Sequence, residues 1–478
     1  MTDTIERRAA ASARAAASAA PDAPRIRVAR DPSVDAIRIV LLVAVFLLHA
    51  MMCGVSVGAA GPVLENALEG QAWFGPVSWV VQIMPLFFIA GGFSSFLHWR
   101  SMRARGASGA DYVRARLERL VRPAIVLVAV VAAALVALSL GGLAPELVAT
   151  AGFRIGQPLW FLGVYIATSA LVPVMVRAHE RAPRLTPLSL LAGVVAVDVL
   201  RLSTGLEGIG FLNLLLVWLL VQQLGFHLAD GSLDRLSPAA LWSIAVGALA
   251  LLAVITLAGP YSADMYENLN PPNVSLVVLG VAQLALFQLA RPRIRAWVER
   301  ADASRLVSAV GERAMTVYLW HMPVLVGLAG ALLVANAGLG LALPEPMTAE
   351  WWATRPLWLG AAAAVVVGVT IVFARFERGR RAASTPPADS VPAPAVPRTR
   401  TVMLDAVCGV AAIAVLLVTG FGPVQAVISL ALLTVALRGS ATVGRVFGRL
   451  LAAAAATPAQ RRSRRNGIAM ASQAANAA

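Results

Sequence analysis

The chain has little charge. Only 14% of its 478 residues are Asp, Glu, Lys or Arg, against roughly 25% in soluble proteins. Hydrophobic residues make up 59% on a count that leaves glycine out. Such a chain does not have enough polar residues to cover a soluble globule of this size. That excludes an ordinary cytosolic enzyme, a disordered protein and a nucleic-acid-binding domain of ordinary composition. Lysine is absent, so every basic residue is an arginine. Cysteine is scarce: Cys53 and Cys408 each lie in an apolar run and are expected in the core. Two such residues build neither a disulfide framework nor a zinc spacing, and no metal is expected. No serine nucleophile elbow, P-loop or zinc motif is present, and no strand-like alternation suggests a membrane barrel. Residues 1–30 are rich in Ala, Arg and Ser and lack the apolar stretch of a secretory signal.

What the chain does have is long apolar runs. A bilayer core of about 30 Å takes roughly 20 apolar residues per helix. On that length twelve spans are expected, centred on 36–54, 73–98, 123–142, 158–176, 187–203, 209–229, 239–259, 273–290, 314–336, 356–374, 402–420 and 423–437. The fifth and the last are the shortest. The expected fold is all-α, a polytopic transmembrane helix bundle.

The net charge of +15 comes from arginine clusters in alternate loops. The 1–35 segment and the 99–122, 177–186 and 291–313 loops carry them. The 55–72, 260–272 and 337–354 loops have none. By the positive-inside rule both termini are expected in the cytoplasm of a multi-pass plasma-membrane protein. Five regions follow: a cytoplasmic tail over 1–32, a ten-helix body over 33–375, a Pro/Ala-rich linker over 376–400, a two-helix appendage over 401–437 and a basic tail over 438–478.

The first helix, VDAIRIVLLVAVFLLHAMM, carries the sharpest signal. Arg38 and His49 are eleven residues apart, close to three helical turns, which puts them on one face about 16 Å apart along the axis. Asp35 lies one turn before Arg38 on the same face. An ionisable residue inside a span is a functional candidate by default. Arg38 alone reads equally well as a topology anchor. His49 is harder to explain in lipid, and histidine is the commonest general base near neutral pH.

These residues resemble the acyltransferase 3 family of integral membrane O-acyltransferases. The family's first helix carries Asp-x-x-Arg, ten residues and His, matched here by Asp35, Arg38 and His49. MPLFFIAGGFSSFLHW resembles its Phe-Phe-x-x-Ser-Gly-Phe element at Phe87, Phe88, Gly92 and Phe93, departing at Gly91, where serine is common. YVRARLERLVRP resembles the arginine-rich loop at Arg114, Arg116, Arg119, Arg122 and Pro123. QPLWFLGVYI resembles the Leu-Trp-Phe-Leu element at Leu159, Trp160, Phe161 and Tyr165. AMTVYLWHMPV resembles Ser-Tyr-x-x-Tyr-Leu-x-His-x-Pro at Tyr318, His321 and Pro323, and NLNPPNVSLVVLGVAQ resembles a segment of actinobacterial members. The resemblance covers roughly 33–375 and leaves the 401–437 pair outside.

The resemblance implies transfer of an acyl group, usually acetyl, from cytoplasmic acyl-CoA to a hydroxyl of a cell-envelope carbohydrate or small molecule. No cofactor is bound; acyl-CoA is the donor co-substrate. The implied catalytic residues are His49, Arg38 and Asp35, with His49 either general base or transient acyl carrier. Arg38, Arg116, Arg119 and Arg122 would receive the polyanionic donor, since guanidinium groups bind phosphate bidentately; orientation and anionic lipid explain the same cluster. Trp160, Tyr165, Tyr318 and His321 are the pocket candidates. His321 either lines the cavity or bonds a neighbouring helix. Asp198 and Arg201 are expected to pair, and Asn268, Asn270 and Asn273 either bind an acceptor or cap a helix. The rival class is a multi-span transporter of an envelope precursor, and an envelope assembly factor comes third. The partners expected are the bilayer, acyl-CoA and a hydroxyl acceptor, with no nucleic acid.

Overall fold

A computed structural model describes residues 31–58, 61–300, 303–376 and 399–439. The expected N-terminal tail, linker and basic tail fall almost wholly outside these residues.

The chain opens with α1 (Pro32–Met52), which runs straight into an antiparallel hairpin of β1 (Cys53–Gly58) and β2 (Gly61–Asn66). Then follow α2 (Phe74–Val81), α3 (Met84–Ala104), α4 (Gly109–Leu140), α5 (Pro145–Gly156), α6 (Leu159–Arg181), α7 (Leu185–Thr204), the one-turn α8 (Glu207–Gly210) and α9 (Asn213–Ala229). The remaining helices are α10 (Pro238–Leu257), α11 (Val274–Arg300), α12 (Ser304–Gly311), α13 (Ala314–Leu339), α14 (Ala349–Phe373), α15 (Thr399–Thr419) and α16 (Pro423–Arg438).

Among the described residues eleven helical segments are long and apolar enough to cross a membrane. The protein is an all-α, multi-pass membrane helix bundle. The expected twelfth span is α16, whose 16 residues rise only about 24 Å. The spans alternate in direction. One end of the bundle therefore gathers the hairpin and the turns at 140–145, 204–207, 257–274 and 339–349. The opposite end gathers the arginine-rich turns.

Two expectations about loops are corrected. The 99–122 segment is not a loop. Ser108 and Asp111 form a reciprocal capping box, Ser108 N–H donating to Asp111 Oδ2 at 2.8 Å and Asp111 N–H to Ser108 Oγ at 3.2 Å, which starts α4 at Gly109. Arg114, Arg116, Arg119 and Arg122 therefore stand on the opening turns of a helix. The hairpin is the second difference, built where a connecting loop was expected.

Lipid offers no hydrophobic drive between helices, so close association needs small residues at the contact. Gly92 of α3 and Gly225 of α9 meet backbone to backbone. A Cβ on Gly92 would collide with the Gln222 carbonyl, and one on Gly225 with the Ile89 carbonyl. The C-terminal pair is not detached: α15 packs on α4 and α6, and α16 packs on α4. Asp405 of α15, 1% exposed, faces Arg114 of α4 at 3.5 Å.

At the hairpin end Asp198 ties four segments together. Its carboxylate accepts from Asn213 Nδ2 (2.9 Å), the Tyr261 hydroxyl (3.0 Å) and Val274 N–H (2.9 Å). The expected Asp198–Arg201 pair is replaced, because Arg201 reaches Glu207 at 3.0 Å. Asn273 accepts from Ser275 N–H at 3.0 Å, and Asn268 is bonded to Ser262 O and Asn273. Of the two readings of these asparagines, both residues serve local turn and cap geometry.

Candidate functional site: a histidine pair between α1 and α13

α1 packs against α3, α11, α12, α13 and α14. That enclosure answers the problem its polar residues pose, since an imidazole facing lipid has no partner. His49 stands on the last turn of α1. His321, 1% exposed, projects from α13. The His321 Nε2 and His49 Nδ1 atoms are 3.2 Å apart, with ring centroids separated by 5.0 Å.

Carbonyl oxygens only accept hydrogen bonds, so they fix the tautomers. His321 Nδ1 lies against the Tyr318 carbonyl, so Nδ1 carries the proton and Nε2 offers a lone pair. His49 Nδ1 lies 3.0 Å from the Val45 carbonyl and also faces that lone pair. His49 Nδ1 is therefore the protonated nitrogen, shared between two acceptors. His49 Nε2 keeps its lone pair and has no partner among the described residues. Backbone thus points one imidazole at another and leaves a single basic nitrogen open.

Of the other pocket candidates Tyr318 adjoins His321, with ring centroids 6.1 Å apart, and Tyr165 and Trp160 follow through Phe161. The Tyr318 hydroxyl donates to Pro158 O at 2.7 Å, and its ring meets Phe161 edge to face at 5.1 Å. Phe161 stacks on Tyr165. Trp160 lies beside Trp218 (5.8 Å), and Trp218 stacks on Phe88 at 4.4 Å. Gly91 is where the family pattern was expected to carry serine. A Cβ there would touch the Tyr165 ring at 3.4 Å, so the missing hydroxyl faces the same aromatic group.

The arginines divide. Arg116 is held inside the bundle: its Nε donates to the Tyr112 hydroxyl and its Nη2 to Ser95 Oγ, both at 3.1 Å. Arg122 lies 3.8 Å from Glu118, and Arg119 is exposed. Arg38 forms no ion pair or hydrogen bond with a described residue. Asp35 and Arg38, one turn apart, do not pair with each other, and Asp35 is held by other contacts. The structure brings His49, His321 and Tyr318 together. It does not bring Arg38 into polar contact with them.

His179, expected in a loop, lies in the last turn of α6 and is 2% exposed. The helix runs on past its apolar stretch because Gln223 and Asp230 hold the ring, at 3.0 and 2.9 Å. Burial raises the Asp230 carboxyl, but hydrogen bonds from Ser232 and His179 outweigh it and leave it below the usual carboxylate range. His179, His227 and Asp230 form the one group among the described residues whose ligand atoms could hold a metal, all within 4.8 Å of one another.

Sequence reasoning missed Arg355, which lies 9% exposed in α14 between Trp351 and Trp358, one residue before the expected 356–374 span. An arginine inside WWATRPLWLG was the available signal. It also missed Arg154, at the hairpin end, because α5 reads as part of a loop.

The family model of the acyltransferase domain matches residues 31–375, and the chain belongs to the acyltransferase 3 family. It is a membrane acyltransferase. No curated protein and no solved structure matches it.

Proposed function

We propose that the protein moves an acyl group, acetyl in the simplest case, from cytoplasmic acyl-CoA to a hydroxyl of a cell-envelope carbohydrate or small molecule, in the plasma membrane and with both termini in the cytoplasm. The observation that carries this reading is the open Nε2 of His49, backed by His321. His49 Nε2 removes the proton of the acceptor hydroxyl as its oxygen attacks the thioester carbonyl. The imidazolium so formed keeps its Nδ1 proton on the His321 lone pair, which orients the ring and shares the charge. Collapse of the tetrahedral intermediate breaks the C–S bond, and the departing CoA thiolate takes the proton back from Nε2. General-base help of this kind is worth about 10²–10⁴ in rate.

CoA is polyanionic, and the arginine end of the bundle is where it would dock, on Arg38, Arg116, Arg119 and Arg122. Arg38 has no carboxylate partner among the described residues to displace. Eleven residues from Arg38 to His49 span about 16 Å, which suits an extended pantetheine arm running along α1. Trp160, Tyr165 and Tyr318 would line the path of the acyl chain. The appendage and linker lie outside this chemistry.

The test is transfer of label from radiolabelled acetyl-CoA in vesicles that hold the wild-type or the His49→Ala protein, with the labelled product identified. The reading requires labelled acceptor with the wild type and at least about 10²-fold less with the variant, at equal insertion. Equal labelling by both would overturn it.

A further inference from the structure

Among the described residues the hairpin end holds three arginines: Arg154, Arg201 and Arg355. Arg201 has its carboxylate, Glu207. The other two have none among the described residues. Glu65, Glu345 and Glu350 stand in the neighbouring segments, yet all three are exposed and none pairs with either arginine.

Arg355 is the stranger case. Trp351, Arg355 and Trp358 recur at helical spacing on one face of α14, exposed by 1%, 9% and 7%. The guanidinium carbon lies 4.1 Å from the Trp351 ring centroid and 5.5 Å from that of Trp358. Nη2 donates to Thr354 Oγ1 at 3.2 Å and Nη1 to Cys53 O at a long 3.5 Å. Nε is buried with no hydrogen-bond partner among the described residues. Aromatic faces attract the cation, but they do not replace a counter-charge where water is scarce.

The site adjoins the histidine pair. Trp358 Nε1 donates to Ala50 O at 2.9 Å, the residue after His49. Cys53, whose carbonyl Arg355 reaches, lies four residues beyond His49, a rise of about 6 Å. Across the hairpin Arg154 Nη2 donates to Leu64 O at 3.2 Å, and Leu64 is the strand partner of Val55. Burial pushes the Cys53 thiol up to about 12, and Arg355 and then Arg154 are the cations close enough to oppose it.

The geometry points to an oxyanion site: Arg355, with Arg154 across the hairpin, receives a carboxylate or phosphate carried by the acyl acceptor. The acceptor is then an acidic or phosphorylated sugar, anchored by its charge while a neighbouring hydroxyl meets His49 Nε2. This rests on the acyl-transfer reading for the identity of the ligand, though not for the existence of the site. A bidentate guanidinium contact is the strongest of the charged hydrogen bonds, and two tryptophans hold this guanidinium in place for it.

The test is binding without acyl donor, so its outcome is separate from that of the transfer reaction. Protein in phosphatidylcholine nanodiscs is titrated with methyl glucuronide, glucose 1-phosphate and methyl glucoside, followed by tryptophan fluorescence. At least one acidic sugar should bind about tenfold or more tightly than methyl glucoside. Arg355→Gln should remove that preference, and Arg355→Lys should restore part of it. Arg154→Gln gives a second variant should Arg355→Gln fail to fold, and it should weaken the acidic sugar alone. Equal binding of all three sugars, or a preference that survives Arg355→Gln, overturns the proposal. A preference lost when phosphatidylglycerol is added to the nanodiscs would assign the site to lipid headgroups and overturn it too.

Discussion

His321 presents the lone pair of Nε2 to the Nδ1 proton of His49 across 3.2 Å. The two rings come from helices 272 positions apart in sequence, and each takes its tautomer from a main-chain carbonyl. In this respect His321 stands to His49 as a carboxylate stands to histidine in a hydrolytic triad, orienting it and supporting its charged form.

From this follows a prediction for His321. Replacing it with Ala should lower the acetyl-transfer kcat by about 10²-fold, in the range expected when a base loses its orienting partner, with little change in KM for acetyl-CoA. Gln keeps an acceptor oxygen and should recover part of the loss. Initial rates with labelled acetyl-CoA measure both.

Arg38 should act on binding instead. Arg38→Gln is expected to raise KM for acetyl-CoA about tenfold, the worth of one charge-assisted contact to phosphate, and to leave saturating turnover near the wild-type value. Titration of the donor at fixed acceptor separates the two constants.

Gly225 and Gly92 set the distance between α9 and α3. Gly225→Ala places a methyl group against the Ile89 carbonyl and the Phe93 amide, backbone atoms that cannot step aside. Overpacking of this kind costs about 1–3 kcal/mol. A lower melting temperature in detergent, or loss of folded yield, is the expected outcome. Gly247, whose Cβ would meet nothing within 4 Å, should accept Ala without change.

Asp405 holds the C-terminal pair to the body. Asp405→Ala leaves Arg114, a third exposed, without that partner. Loss of a partner from a buried pair costs about 3–5 kcal/mol; solvent at Arg114 screens part of this, so about 1–2 kcal/mol is expected. Thermal melting should show the drop, with acetyl transfer unchanged at temperatures where the variant stays folded.

Legibility differed by region for physical reasons. Asp35, Arg38 and His49 stood out because an ionisable residue in an apolar helix is conspicuous, and helical period alone puts them on one face. The spans were legible from apolar length, but their ends were not. α4 and α6 run past the apolar core because Ser108–Asp111 caps one and Gln223 and Asp230 grip the end of the other. The hairpin over Cys53–Asn66 was hidden because two six-residue strands around glycines carry no strong period. The partnership of His49 with His321 depends on α13 packing against α1, a tertiary fact that no spacing encodes. Arg355 was overlooked because it falls between the 337–354 loop, which carries no arginine, and the apolar span that begins at 356.

The most direct measurement of the central claim is a double-mutant cycle on the two histidines. Initial acetyl-transfer rates are compared for wild type, His49→Ala, His321→Ala and the double variant, each reconstituted at equal folded concentration. Groups that act as one unit are non-additive. The account predicts that the double variant is no slower than His49→Ala alone, because His321 acts only through His49. Losses that multiply across the two sites, or a His49→Ala protein that turns over at the wild-type rate, would contradict it.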